Sequence, residues 1–488
     1  MTAFARGNAS NFDYPAAVAQ LQAAAASAPP YTPSPQETED CLFLDVIVPR
    51  SIFDNKNNRY KRHNHAGAPV LLWIYGGGYT FGSKQQGGFY NPSGLINASL
   101  ANGGRGVIYV AINYRLGALG WLSGPTMQSQ GGVANAALYD QRLAIKWVKD
   151  NIRHFGGDPN QITLIGESAG GGSIMHQITA FGGQQPVDFQ RAIPQSPGWF
   201  PLTNNAKQDN NTARFFANLN VTSVAAARNA STAALQRANL LTVAAAEYGQ
   251  YVFGPAVDGV FVTAQPGVAL LSTSPQVNTF AKNIGIMAGH NSYEGVAFTP
   301  PFIKTNEQIG TFLRANYPGI TPAVLSQILA LYPEVYDGSY GYTSPILRTV
   351  QIVSEQIFTC NTNYLAKAYN NQTYSYQFEI FPAVHALDLS STFYQGQPTN
   401  LTIGVYAPVA NALQTYLTNF AMTGNPNTPS LMDRTSMAIP NFPQQGFPAM
   451  QLGLNYSITA QGVVPDITAQ MDPTSNPRCA YWQKALYQ

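Results

Sequence analysis

Gly166-Glu167-Ser168-Ala169-Gly170 follows the apolar, β-branched run Ile162-Thr163-Leu164-Ile165 and leads into small residues able to start a helix. Strand, sharp turn and helix form the context in which a G-x-S-x-G segment makes a nucleophile elbow. So tight a turn leaves no room for a Cβ at either glycine and holds its central residue in a strained backbone conformation. The serine hydroxyl then stands at the end of a strand and at a helix N-terminus, where free N–H groups and the helix dipole favour developing negative charge. Ser168 is the candidate nucleophile.

A second glycine-rich element lies upstream. The strand-like run Leu71-Leu72-Trp73-Ile74-Tyr75 enters Gly76-Gly77-Gly78-Tyr79. A loop without side chains lets backbone N–H groups converge on one point, as an acyl-transfer enzyme needs for the oxyanion of its tetrahedral intermediate. Gly77, Gly78 and Ala169, the residue after the nucleophile, are the candidate donors. A phosphate-binding loop would show G-x-x-x-x-G-K-[ST] or G-x-G-x-x-G, and neither is present here.

Further strands are predicted at 42–48, 107–113, 284–288 and 374–381, beside those at 70–75 and 162–165. Helices are predicted at 16–26, 134–155 and 406–423. The helix over 134–155 ends before Gly156-Gly157-Asp158-Pro159, a strong stop signal. Strands alternating with helices predict a mostly parallel sheet flanked by helices. The expected fold class is α/β, an α/β-hydrolase fold in a single domain over 1–488. A helix-rich region at about 205–350 is expected to form a cap over the sheet edge where open α/β sheets bind ligands.

Composition narrows the function classes. The formal net charge of the 488-residue chain is +2 and only 10% of residues are charged, so no basic surface points to nucleic acid or anionic membrane. No run approaches the ~18 apolar residues of a membrane-spanning helix. Low charge and the sequons at Asn8, Asn97, Asn210, Asn220, Asn229, Asn371, Asn400 and Asn455 predict a secreted protein. The stretch 1–13 carries no apolar core of an export signal.

A serine nucleophile needs a base, and the base an orienting carboxylate. In α/β-hydrolases the acid follows the serine and the histidine follows the acid. That order removes His63, His65 and His154. His176 falls two turns into the helix after the elbow, pointing away from the serine, and His290 precedes the best acid. His385, beyond the strand at 374–381 and Pro382, remains as the candidate base. Glu294 is the only carboxylate in the loop after the strand at 284–288. Asp258 competes with it but precedes Gly259 and reads as a turn residue. This chemistry calls for no cofactor and no metal.

Taken together, these residues resemble the type-B carboxylesterase/lipase family, which includes cholinesterases and fungal extracellular lipases. The resemblance rests on Glu39-Asp40-Cys41-Leu42, Trp73-Ile74-Tyr75-Gly76-Gly77-Gly78, Asn113-Tyr114-Arg115-Leu116-Gly117, Asp140-Gln141-Arg142, Phe155-Gly156-Gly157-Asp158-Pro159 and the elbow. It implies a Ser168–His385–Glu294 triad acting on a small-molecule ester, with Ser196 near the base. It also implies a buried Arg115–Asp140 pair and a Cys360–Cys479 disulfide. Three departures accompany it. The family's opening β-hairpin is absent, as is the upstream cysteine that would pair with Cys41, which implies a chain truncated at its start or unusually short. The family's upstream arginine partner for Glu39 is missing. Ala386 replaces a frequent glycine after the histidine. Tyr31 stands where a choline-binding aromatic would be, so choline esters are not expected. Tyr79, Phe81, Trp199 and Phe200 either line an apolar acyl pocket or belong to the core, and the expected substrates are neutral esters of short-to-medium acyl chain. The competing functions are a true lipase or sterol esterase, and a non-catalytic binding or adhesion protein or inactive remnant.

Overall fold

The apolar β-branched runs build the centre of one sheet. Its strands are β1 (Leu44–Ile47), β2 (Ala68–Ile74), β3 (Ile108–Ile112), β4 (Gly157–Glu167), β5 (Arg191–Gln195), β6 (Gly285–Asn291), β7 (Tyr374–Phe378), β8 (Met450–Thr459) and β9 (Gly462–Met471). The computed structural model describes residues 37–54, 67–101, 104–271, 279–303, 305–396, 405–427, 450–459 and 462–487. The helix expected at 16–26, Tyr31 and the sequons at Asn8 and Asn400 lie outside the described residues.

The strand order is β1-β3-β2-β4-β5-β6-β7-β8-β9. β1 pairs antiparallel with β3, and β8 antiparallel with β9; every other neighbouring pair is parallel. Every residue of β2 and β3 is buried, as a parallel sheet covered by helices on both faces requires. The chain has the α/β-hydrolase fold expected of it.

The strand at the elbow is longer than the apolar run alone suggested. β4 starts at Gly157, because the ladder to β2 begins at Ala68↔Gly157 before resuming at Val70↔Ile162. The helix expected over 134–155 runs from Ala136 to Asn151 and tightens into a 3-10 turn, Ile152–Phe155. Gly156, at φ +88, then ends it in the left-handed conformation glycine permits. Two stretches outside the predicted strands also join the sheet. β5 carries Pro194, which lacks an N–H, and the register to β6 skips from Ala192↔Ile286 to Gln195↔Gly289. β8 and β9 form a ten-residue antiparallel ribbon at one edge.

Within 205–350 the helices include Asn205–Leu219, Thr232–Ala244, Asn306–Asn316 and Pro322–Leu331, and β6 passes between the second and third of them. Near the C-terminus, Cys360 and Cys479 form a disulfide, Cα atoms 5.1 Å apart, and Cys41 is free. Glu355 is buried beside it. It takes hydrogen bonds from Arg478 at 2.7–3.0 Å and from the Tyr332 hydroxyl at 2.5 Å. The Arg115–Asp140 pair forms with a 2.7 Å contact, but only Asp140 is buried: its side chain is 5% exposed, that of Arg115 37%. The guanidinium reaches the surface because a long side chain can keep its head wet while its stem packs.

Candidate active site

β4 delivers Ser168, and the helix Ala169–Ile178 leaves immediately after it. The serine backbone sits at φ 57, ψ −122, a strained conformation for a side-chain-bearing residue. Its N–H donates to the Gln195 carbonyl at 3.0 Å, and its own carbonyl accepts from Gly172 and Gly198, so β5 and the helix over-determine the turn. A Cβ on Gly166 would stand 2.6 Å from the Ile74 carbonyl oxygen, and one on Gly170 2.0 Å from it. Both glycines are thus required by β2.

The three residues expected to cooperate meet. His385 Nε2 is 2.8 Å from Ser168 Oγ, and His385 Nδ1 is 2.5 Å from Glu294 Oε2. Glu294 begins a short turn just after β6 and is fully buried. Its other oxygen, Oε1, accepts from the Ser196 hydroxyl at 2.6 Å, from the Asn291 N–H at 2.5 Å and from Asn291 Nδ2 at 3.3 Å. Ser196 is thus bonded to Glu294, the residue that in turn bonds His385. Burial alone would push the Glu294 carboxyl up, but the charge and hydrogen bond of His385, with the Ser196 and Asn291 donors, hold it below its ordinary value.

His176 and His290 are elsewhere. His176 is buried in its helix, with Nδ1 2.8 Å from the Gly172 carbonyl and its ring edge-on to Trp199; burial lowers its pKa to about 4. His290 is buried in β6 with Nδ1 3.1 Å from the Asn291 carbonyl. Asp258 caps its own turn, accepting from the Val260 and Val262 N–H groups, so the turn reading of it is correct.

Gly77 and Gly78 have φ of +112 and +59, and a Cβ on Gly77 would stand 2.1 Å from the Phe81 carbonyl oxygen. Among the described residues neither of their amides has a hydrogen-bond acceptor. Ala169 is the first residue of its helix, where the N–H has no partner within the helix.

The four aromatics divide between core, surface and site. Tyr79 is buried and donates to the Gly198 carbonyl at 3.0 Å; Trp199 is buried and donates to Gln265 Oε1 at 2.7 Å. Both are core, their polar tips satisfied as burial demands. Phe81 is 65% exposed. Phe200 alone lines an aromatic wall, stacked on Tyr251 at 3.8 Å between centroids. Phe298 and Phe358 complete that wall against His385, at 5.0 and 4.2 Å. Phe358 comes from a π-turn, Glu355–Thr359, that the sequence pattern does not reveal.

Two more buried carboxyls attend the site. Glu167, inside the elbow motif itself, has Oε1 3.3 Å from His385 Nε2, and burial raises its pKa to about 8. Asp388 stands three residues after His385. It accepts from the Tyr376 hydroxyl at 2.8 Å and from Asn291 Nδ2 at 3.2 Å, and burial raises its pKa too. Their nearness to Ser168 and His385 in sequence was the available signal. Ala386 adopts φ +67, the conformation that glycine favours.

A family model described as "Carboxylesterase family" matches residues 13–482. The chain is 37% identical over 458 residues to "Carboxylesterase patB" of Penicillium expansum, spanning 93% of this chain and 76% of that protein. It is 31% identical over 464 residues to a "Secreted lipase" of Arthroderma benhamiae, spanning 92% and 83%. The fold overlays the crystal structure of Aspergillus niger EstA with a TM-score of 0.75 at 26% identity, covering 93% of this chain and 85% of that one.

Proposed function

The chain belongs to the carboxylesterase family, and from that premise we propose that it hydrolyses neutral esters of short-to-medium acyl chain through Ser168, His385 and Glu294. The reading is carried by the unbroken hydrogen-bonded line from Ser168 Oγ through His385 to Glu294. Ser168 Oγ attacks the ester carbonyl carbon as its proton passes to His385 Nε2. Glu294 holds the Nδ1–H and stabilises the imidazolium. The oxyanion accepts from the N–H groups of Gly77, Gly78 and Ala169, each donor contributing about 3–4 kcal/mol to the transition state. Collapse breaks the ester C–O bond, and the alcohol leaves with the proton from Nε2. Water then gives a proton to Nε2 as it attacks the acyl carbon, the acyl C–Oγ bond breaks, Nε2 returns the proton to Ser168 Oγ, and the carboxylic acid leaves.

The aromatic wall of Phe200, Tyr251, Phe298 and Phe358 supports an uncharged acyl group. The helices of 205–350 are read as a cap on a single domain. Secretion is supported by the sequons, the low charge and the similarity to a secreted lipase. Among the described residues no helix is long and apolar enough to cross a membrane.

The test is organophosphate labelling together with hydrolysis of p-nitrophenyl esters of increasing chain length. Labelling is expected in the native protein and lost in Ser168→Ala, with rates falling for long chains. The similarity to a lipase favours a second reading, which would show as a rate jump on emulsified long-chain triglyceride. A folded chain that neither labels nor turns over ester would be a non-catalytic member.

A further inference from the structure

Beyond the aromatic wall lies a cavity of about 230 Å3 whose lining includes Asn204, Lys207, Asn210, Asn211, Arg214 and Tyr251. Two cations and several side-chain amides face it, and among the described residues no acid does. Lys207 and Arg214 are two turns apart on one face of the helix Asn205–Leu219. The largely buried Lys207 ammonium donates to the Asn316 carbonyl at 3.0 Å. Among the described residues no carboxylate is within ion-pair distance of Lys207 or Arg214. The acids close by in the chain are engaged elsewhere: Asp209 accepts from the Thr126 N–H at 3.0 Å, and Glu247 from Gln250 Nε2 at 2.9 Å. Burial without a compensating acid lowers the Lys207 pKa to about 8. An ammonium drawn out of water with donors left over is unfavourable alone and is stabilised by an anion.

The cavity and the reaction centre share one wall. The Tyr251 ring lines the cavity and also stacks on Phe200, and it lies 3.2 Å from where a Cβ on Gly78 would stand. Its centroid is 6.0 Å from that of Phe298, which is in edge contact with His385. A ligand against Tyr251 therefore presses on the ring that borders the candidate oxyanion loop.

We propose that the Lys207 cavity binds a small monocarboxylate, the class of acid that ester hydrolysis releases, and that the bound acid slows turnover from this second site. The ligand's class rests on the proposed esterase activity; the site rests on the cavity and its uncompensated lysine. Titration calorimetry of Ser168→Ala protein with sodium butyrate tests binding without turnover, so failure of the esterase reading leaves this result untouched. The protein is prepared without N-glycans, since Asn210 on the lining begins a sequon. Saturable binding is expected, weakened about tenfold or more by Lys207→Gln, and not reproduced by methyl butyrate or inorganic phosphate. Should Lys207→Gln fail to fold, Arg214→Gln on the exposed rim is expected to weaken butyrate about threefold. In the Ser168 enzyme, butyrate should inhibit p-nitrophenyl acetate hydrolysis with a non-competitive component that Lys207→Gln removes. Equal butyrate affinity in both Lys207→Gln and Arg214→Gln, equal affinity for methyl butyrate or phosphate, or purely competitive inhibition would each overturn the proposal.

Discussion

The His385 imidazole and the Glu167 carboxyl approach to 3.3 Å, Nε2 to Oε1, although Glu167 is the chain neighbour of the serine that the same nitrogen touches. With Glu294 on Nδ1, the ring lies between two carboxyls in a buried pocket. Burial alone would lower the His385 pKa, but the charges of Glu167 and Glu294 outweigh it and raise it to about 9. Glu167 exerts this pull where it is ionised, above its own pKa of about 8, and an imidazole held in its charged form there is a poorer proton acceptor, so Glu167 bears on the pH range over which the proposed base works.

Glu167→Gln is accordingly expected to extend activity towards acid. The base must be unprotonated to take the serine proton, so rate falls as pH drops through the His385 pKa. Removing a neighbour that is negative above about pH 8 lowers that pKa and moves the acid limb of kcat/KM, which lies near pH 9 in the parent, to lower pH, by on the order of one unit. A pH profile with p-nitrophenyl butyrate reads it directly, and an unmoved or raised limb would count against the coupling.

Replacing His385 with alanine should lower kcat by about 10³-fold or more, the loss expected for one member of a cooperating triad. His176→Ala and His290→Ala, both at buried positions away from Ser168 Oγ, should cost stability and leave kcat of the folded fraction near that of the parent. A loss of kcat in His290→Ala equal to that in His385→Ala would reverse the assignment.

Gly170→Ala should damage the elbow itself. The added methyl would sit 2.0 Å from the Ile74 carbonyl oxygen, in β2, and 2.8 Å from that of Tyr75, which the Tyr114 hydroxyl holds. Forcing that contact costs about 3 kcal/mol. Urea unfolding should show the loss, together with a fall in organophosphate labelling as Ser168 is displaced.

The chain contains three cysteines, and Cys360 is joined to Cys479. Thiol titration of the denatured, unreduced protein should find one free group, that of Cys41. Replacing both bridged cysteines with serine should lower stability by about 2–5 kcal/mol, since the cross-link spans 119 residues of chain. Three reactive thiols would refute the bridge.

Local sequence determined those parts of the protein in which a short segment carries its own physical demand. β2 and β3 are buried on both faces, so their apolar runs have one sensible conformation. The elbow is announced within its own segment by a strand running into G-x-S-x-G, although the atoms that exclude a Cβ there belong to β2, and Gly156 stops a helix by its own φ. Where the demand lies far along the chain, only the tertiary structure decided. Pro194 argues locally against a central strand, yet β5 is held between β4 and β6. β8 and β9 are stabilised by pairing with each other and with β7, not by apolar runs of their own. The same division runs through the candidate site. Chain order and loop position pointed to Ser168, Glu294 and His385, but distance along a chain carries no information on which carboxyl faces which nitrogen. That Glu167 turns back onto Nε2, that Ser196 serves Glu294 from 98 positions away, and that Phe358 reaches the imidazole from a π-turn follow from sheet register and helix packing, which bring Glu167 and His385, about 200 positions apart, within 3.3 Å.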